Sequence, residues 1–168
     1  DLTVTEPSIY FGELSNDHVF VRTNTKEFHY PSGEDNVFSE YTGSGGVAVG
    51  SFWRKLLFAI RFGSGKALLS DDLRADSRVI YYRRISERVR KIAPFLTYDR
   101  DPYMAIADGR LYWIQDAYTT SNRYPYSSAV AGGTNSSITN NSVNYIRNSI
   151  KVVIDAYNGT TRFYLVDP

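Results

Sequence analysis

DRDPYMAIADGRLYWIQDAYTTS, residues 99–121, places four aspartates and a run of aromatic side chains around one tight turn. The dipeptide Asp108-Gly109 can hold positive φ at both positions, as a two-residue type I′ hairpin turn requires. A turn centred there pairs Ala107 with Arg110, Ile106 with Leu111, Ala105 with Tyr112 and Met104 with Trp113. Directly opposite residues share a face of the ladder. Met104, Ile106, Leu111 and Trp113 are therefore the expected core face. Tyr103, Ala105, Arg110, Tyr112 and Ile114 form the other, with Asp101 opposite Asp116 at its far end. Carboxylates so placed have Cβ atoms about 5 Å apart. Such a pair repels, and needs an arginine, a cation or one shared proton to balance it.

A second hairpin is expected at Asn158-Gly159, with Asp155 opposite Arg162, Ile154 opposite Phe163 and Val152 opposite Leu165. Towards the N-terminus, the aromatic and β-branched runs at 8–11, 18–21, 27–30 and 37–41 predict strands. GSGGVAVG (43–50) then leads to Ser51, a good helix N-cap. Trp53, Leu56, Leu57 and Ile60 follow at helical spacing, apolar on most sides, which predicts a deeply packed helix ended by Gly63-Ser64-Gly65. A second helix is expected over 76–93, with Val79, Tyr82, Ile85, Val89 and Ile92 as its inner stripe and Pro94 just beyond it. Residues 127–142 (SSAVAGGTNSSITNNS) are too poor in apolar groups to offset their ordering entropy, so a flexible loop is expected. The resulting expectation is one α+β domain over 1–168: an antiparallel sheet built from hairpins, with two helices packed on one face.

Composition narrows the chemistry. The chain carries 19 Lys and Arg against 18 Asp and Glu, a net charge of +1, so nothing pulls it globally towards nucleic acid. It has no cysteine, which excludes disulfides, thiolate metal sites and cysteine nucleophiles. Fourteen tyrosines and nine phenylalanines suit a sheet with half-buried surfaces. The most apolar window, 47–62, is broken by Arg54, Lys55 and Arg61 and falls short of the roughly 20 apolar residues of a membrane span. Neither a signal peptide nor an initiator Met opens the sequence, and the chain is expected to be a piece of something longer.

Few motifs promise catalysis. Gly45 to Ser51 has the glycine spacing of a phosphate-binding loop, but Ser51 stands where its lysine belongs. A flexible entry to the helix is the better reading. Arg78, Arg83, Arg84, Arg88, Arg90 and Lys91 could grip phosphates. A solvated face, or one paired with aspartates, fits the near-zero net charge better. His18 and His29 lack the spacing of metal ligands. Tyr98, Tyr103, Tyr112, Tyr118, Tyr124 and Tyr126 supply amphipathic rings suited to saccharides or peptides.

RKIAPFLTYDRDPY (90–103), DGRLYWIQDAYTTS (108–121), YPYS (124–127) and NYIRNSIKVVIDAYNGT (144–160), with IYFGELSND (9–17) and LLFAIRFG (56–63), closely resemble the uncharacterised protein family 0182 of bacteria. The resemblance implies a large multi-span membrane parent with a long extracytoplasmic soluble region, of which this chain would be a segment. It brings no catalytic residues. The 127–142 loop is longer and more polar than the family pattern implies.

Three functional readings follow. The leading one is a non-catalytic ligand-binding or interaction module on the extracytoplasmic side of a multi-pass protein in the cell membrane. Its candidate binding residues are Asp101, Asp116, Tyr103, Tyr112 and Arg110; its expected partners are the rest of the parent protein and a saccharide or peptide. No metal, cofactor or nucleic acid is expected. The rival is a hydrolase or metal-dependent enzyme using Asp101 and Asp116, with Asp99 nearby. The third is a purely structural segment of the parent.

Overall fold

The computed structural model describes residues 3–15, 18–32, 35–63, 65, 71–129 and 143–166, with backbone alone over 28–37. Two compact units are present: Asn16–Tyr82, and the flanking Asp1–Ser15 with Arg83–Pro168. The α+β expectation holds in outline, and among the described residues each unit holds one helix. Beyond 129, the expected 127–142 loop lies outside the described residues.

In the Asn16–Tyr82 unit, β1 (His18–Thr23), β5 (Leu73–Tyr81) and β4 (Val47–Ala48) form an antiparallel sheet in the order β1-β5-β4. β2 (Glu27–Ser32) and β3 (Asp35–Ser39) pair separately. Helix α1 (Phe52–Phe62) starts at Ser51, whose side chain accepts the Arg54 N–H, as its sequence predicts. Val21, Val49, Val79 and Ile80 are all but inaccessible to solvent and make the core with Tyr41.

Three expectations for this unit are corrected, the first of them the deep packing of α1, whose Phe52, Trp53, Leu57 and Ile60 are exposed. Second, residues 76–81 are strand, not the first turns of a helix: Ser77 and Val79 are fully buried, while Ala75 and Asp76 face solvent. Tyr82, at φ 49, then turns the chain before any helix can start. The apparent helical stripe from Val79 to Ile92 is the end of β5 read together with a separate short helix. Third, the glycine-rich stretch is closely packed. A Cβ on Gly50 would lie 1.9 Å from the Ala75 carbonyl oxygen, so only glycine permits this approach to β5. Arg78 fastens the same stretch, donating from Nε to the Gly45 carbonyl and from Nη2 to the Gly46 carbonyl, each at 2.7 Å.

The other unit is built on a five-stranded antiparallel sheet: β10 (Thr161–Leu165), β9 (Tyr145–Asp155), β8 (Arg110–Ser121), then β6 (Thr97–Tyr98) and β7 (Tyr103–Ala107) sharing the far side of β8. Its helix α2 (Ile85–Ile92) is shorter than expected, with Ile85 and Val89 buried. Tyr98 reaches from β6 to donate to the Val89 and Ala93 carbonyls at 3.0 and 2.8 Å. Burial pushes its phenol up to about 12. Residues 8–11 form no strand. They run irregularly, Tyr10 and Phe11 both donating to the Ala156 carbonyl.

The basic residues from Arg78 to Lys91 are expected to be solvated or paired with aspartates; Arg78, as above, and Arg83 and Arg88 hold backbone carbonyls instead. Arg83 Nε donates to the Tyr10 carbonyl at 2.7 Å, and desolvation lowers its pKa. Arg88 Nε donates to the Gly159 carbonyl at 2.9 Å, and its guanidinium lies 4.7 Å over the Phe11 ring.

Candidate functional site

The Asp108-Gly109 turn forms as its sequence requires, with φ of 50 and 72. The register is the expected one, from Ala107↔Arg110 to Tyr103↔Ile114. The two faces are therefore as predicted, but burial of the inner one is incomplete. Trp113 is half-buried, donating from Nε1 to the Phe11 carbonyl at 3.0 Å, while Met104 and Ile106 remain 38% and 41% exposed. β7 pairs with β8 alone, so its side chains sit at the sheet's margin, where packing runs out.

The opposite face carries the candidate site. Register across four strands sets out its rows: Tyr103, Ile114, Val153 and Arg162; then Ala105, Tyr112 and Asp155; then Asp116, Lys151 and Tyr164. Tyr103 and Tyr164 are 50% and 47% exposed, and Tyr112 and Tyr118 are half-buried. Tyr98 belongs to the core instead, and Tyr124, beyond the end of β8, stacks on Tyr145 at 4.7 Å.

The carboxylate facing Asp116 is Asp99, not Asp101. Pro102 has no N–H to extend the β7 ladder, which stops at Tyr103↔Ile114. The partner position passes to the β6 register: Thr97 faces Tyr118, Tyr98 faces Ala117, and the Asp99 N–H donates to the Asp116 carbonyl at 2.9 Å. Asp101 is left exposed outside the ladder.

Each carboxylate of the actual pair is held by protein donors. Asp99 Oδ2 accepts from the Tyr118 hydroxyl at 3.1 Å, and Oδ1 accepts from the Arg100 N–H at 2.6 Å. Asp116 Oδ1 forms an ion pair with Lys151 Nζ, and its Oδ2 accepts from Asn148 Nδ2 at 3.3 Å. The hydrogen bond to Asp116 raises the Lys151 pKa above the ordinary lysine value, and the charges of Asp116 and Asp99 add to it. Burial, then the Asp99 charge, raises the Tyr118 phenol. Lys151 was invisible while β8 was read only against β7; aligning NYIRNSIKVVID against β8 brings it opposite Asp116.

Arg110 is committed elsewhere. Its Nη2 meets Asp155 Oδ2 at 3.0 Å, replacing the expected Asp155–Arg162 pairing. The β9–β10 register is Ile154↔Thr161 and Val152↔Phe163, two residues away from the expected one. Asp155 causes the shift. Its Oδ1 accepts from the N–H groups of Tyr157 and Asn158, each at 2.9 Å, which favours a four-residue loop over 156–159. Of the Asn158-Gly159 dipeptide, only Gly159 has a positive φ.

Among the described residues, no three His, Asp or Glu side chains converge as a metal ion would require. Both histidines, His18 and His29, belong to the Asn16–Tyr82 unit. In the Asn16–Tyr82 unit a cleft of about 380 Å³ is lined by residues that include Lys26, Glu27, Phe38, Glu40 and Arg74. Arg74 there is engaged with Glu40 at 2.5 Å and Asp76 at 3.2 Å.

Comparison with known proteins places the chain. The uncharacterised protein family UPF0182 matches it over residues 1–168. The chain belongs to that family. The UPF0182 protein of Pelotomaculum thermopropionicum is 52% identical over 167 residues, covering 99% of this chain but 17% of the relative. Those of Geotalea uraniireducens and Moorella thermoacetica are each 53% identical over 169 residues, covering 18% of each relative. The chain thus spans less than a fifth of the length of these family members and corresponds to a segment of them. No solved structure matches it.

Proposed function

We propose that this UPF0182 segment is a non-catalytic ligand-binding or interaction module, displayed on the extracytoplasmic side of a membrane-attached parent. The observation that carries the binding reading is the open sheet face on which Tyr103, Tyr112, Tyr118 and Tyr164 lie beside a charge cluster already balanced by Lys151. Rings of this kind stack on saccharide or peptide surfaces while their hydroxyls accept or donate hydrogen bonds. The hydrolase reading asks Asp101 and Asp116 to face one another, and the register assigns that position to Asp99. The remainder of the parent is the expected covalent partner, and its membrane attachment rests on the family resemblance. Among the described residues, no helix is long and apolar enough to cross a membrane.

Glycan and peptide arrays probed with the purified chain test this. The parent is expected to bind a discrete set of probes. The Tyr103→Ala/Tyr112→Ala variant, with both changes on the open face, is expected to lose at least tenfold in affinity, about 1.4 kcal/mol. No binding by either would favour the purely structural reading, and identical binding by both would move the binding surface off this face.

A further inference from the structure

The expectation that α1 is deeply packed is not met, and its apolar face is exposed. Phe52, Trp53, Leu57 and Ile60 are 61%, 71%, 66% and 70% exposed, while Ala59 alone of the helix is buried. At about 100° per residue, these four and Leu56 lie within an arc of about 140°. The opposite side holds the helix in place: Phe62 stacks on His18 at 3.9 Å, and Phe58 packs on Tyr81 at 5.9 Å. The bare apolar face is thus contiguous, and the helix is fixed with that face outward. Soluble surfaces rarely leave such a patch without a partner.

The charges on α1 identify the partner. The helix carries Arg54, Lys55 and Arg61 and no acidic residue. Among the described residues, none of these three cations pairs with a carboxylate. Arg54 Nη1 donates to the Ala48 carbonyl at 3.4 Å, Lys55 Nζ to the Leu73 carbonyl at 3.4 Å, and Arg61 Nη2 to the Tyr82 hydroxyl at 2.6 Å. Arg54 and Arg61 border the apolar arc. Arg61 also lies 5.3 Å over the Tyr81 and Tyr82 rings. A Trp- and Phe-bearing apolar face edged by cations that make no ion pair among the described residues complements the boundary between acyl chains and anionic headgroups. Eleven residues span only about 16 Å, too short for a crossing of about 30 Å, so the helix lies in the plane of the surface.

We infer that α1 docks on an anionic lipid bilayer, burying Phe52, Trp53, Leu57 and Ile60 among the acyl chains while Arg54 and Arg61 meet the headgroups. The test is sedimentation of the chain with phosphatidylcholine vesicles containing phosphatidylglycerol, alongside Trp emission. Binding is expected with a blue shift that disappears in Trp53→Phe, because Trp113 is engaged with the Phe11 carbonyl. Leu57→Glu/Ile60→Glu, at exposed positions that leave the fold intact, is expected to weaken binding at least tenfold, and salt should weaken the parent's. Three results would overturn the inference: no binding to these vesicles, binding unchanged in the double variant, or a blue shift without lipid that grows with protein concentration, which would make the face a contact between copies of the chain.

Discussion

Gly159→Ala is expected to destabilise its unit by about 3 kcal/mol or more. Gly159 has φ 70, and a Cβ there would lie 2.3 Å from Cζ of Phe11 and within 2.6 Å of two further ring atoms. The ring cannot yield, since Phe11 is 1% exposed and lies beneath the Arg88 guanidinium. Arg88 in turn donates to the Gly159 carbonyl, so moving the loop away breaks a second contact. Gly63→Ala is the control: its φ is 63, but among the described residues nothing lies within 4 Å of the added carbon. That change should cost only the left-handed backbone term, about 1 kcal/mol. Each unit carries one tryptophan, Trp113 and Trp53, so unfolding in denaturant can be followed for each variant in its own unit. Equal losses for the two glycines would mean that Phe11 is not wedged against the loop.

Lys151→Met is expected to cost about 2 kcal/mol, because it leaves the Asp116 carboxylate, 19% exposed, without its cation beside Asp99. Adding Asp116→Asn should recover about half of that, since the uncompensated charge is then gone. The sign of the pH dependence follows from the raised Lys151 pKa. A folded value above the unfolded value of about 10.4 gives stability that is complete below that pH and is lost as pH rises through the folded value. Tyr98, pushed up to about 12, acts in the same direction over an overlapping window. The Lys151 share is therefore read as the difference between parent and variant, and the alkaline loss should be shallower in Lys151→Met. A double variant no more stable than Lys151→Met would show that Asp116 does not depend on Lys151.

How much of this was legible in the sequence depended on whether local chemistry decided the outcome. Asp108-Gly109 dictated its own turn, and with it the register and both faces of the β7–β8 hairpin. Asn158-Gly159 has the same local signal, but Asp155 captures two loop N–H groups and enlarges the turn, a competition that dipeptide preference does not register. The 76–93 stretch misled because an apolar stripe at helical spacing is also compatible with a buried strand followed by a short helix. Only the positive φ of Tyr82, which nothing in the sequence announces, divides the two. At the candidate site, Tyr103, Tyr112 and Asp116 followed from the hairpin alone. Lys151, Asn148 and the exchange of Asp101 for Asp99 are long-range pairings, set by which strand lies on the other side of β8.

The claim that the Asp99–Asp116 cluster is balanced from within, leaving the tyrosine face to bind rather than to catalyse, meets its most direct test in a calcium titration of melting temperature. Parent and Asp116→Asn are compared. With Lys151 on one Asp116 oxygen and Asn148 on the other, and Asp99 occupied by Tyr118 and the Arg100 N–H, too few free oxygens remain for a cation that takes six to eight ligands. Calcium is therefore expected to leave the melting temperature of both proteins unchanged, with Asp116→Asn only modestly less stable than the parent. A calcium-dependent rise in the parent that is absent from Asp116→Asn would make the cluster a metal site and restore the metal-dependent enzyme reading.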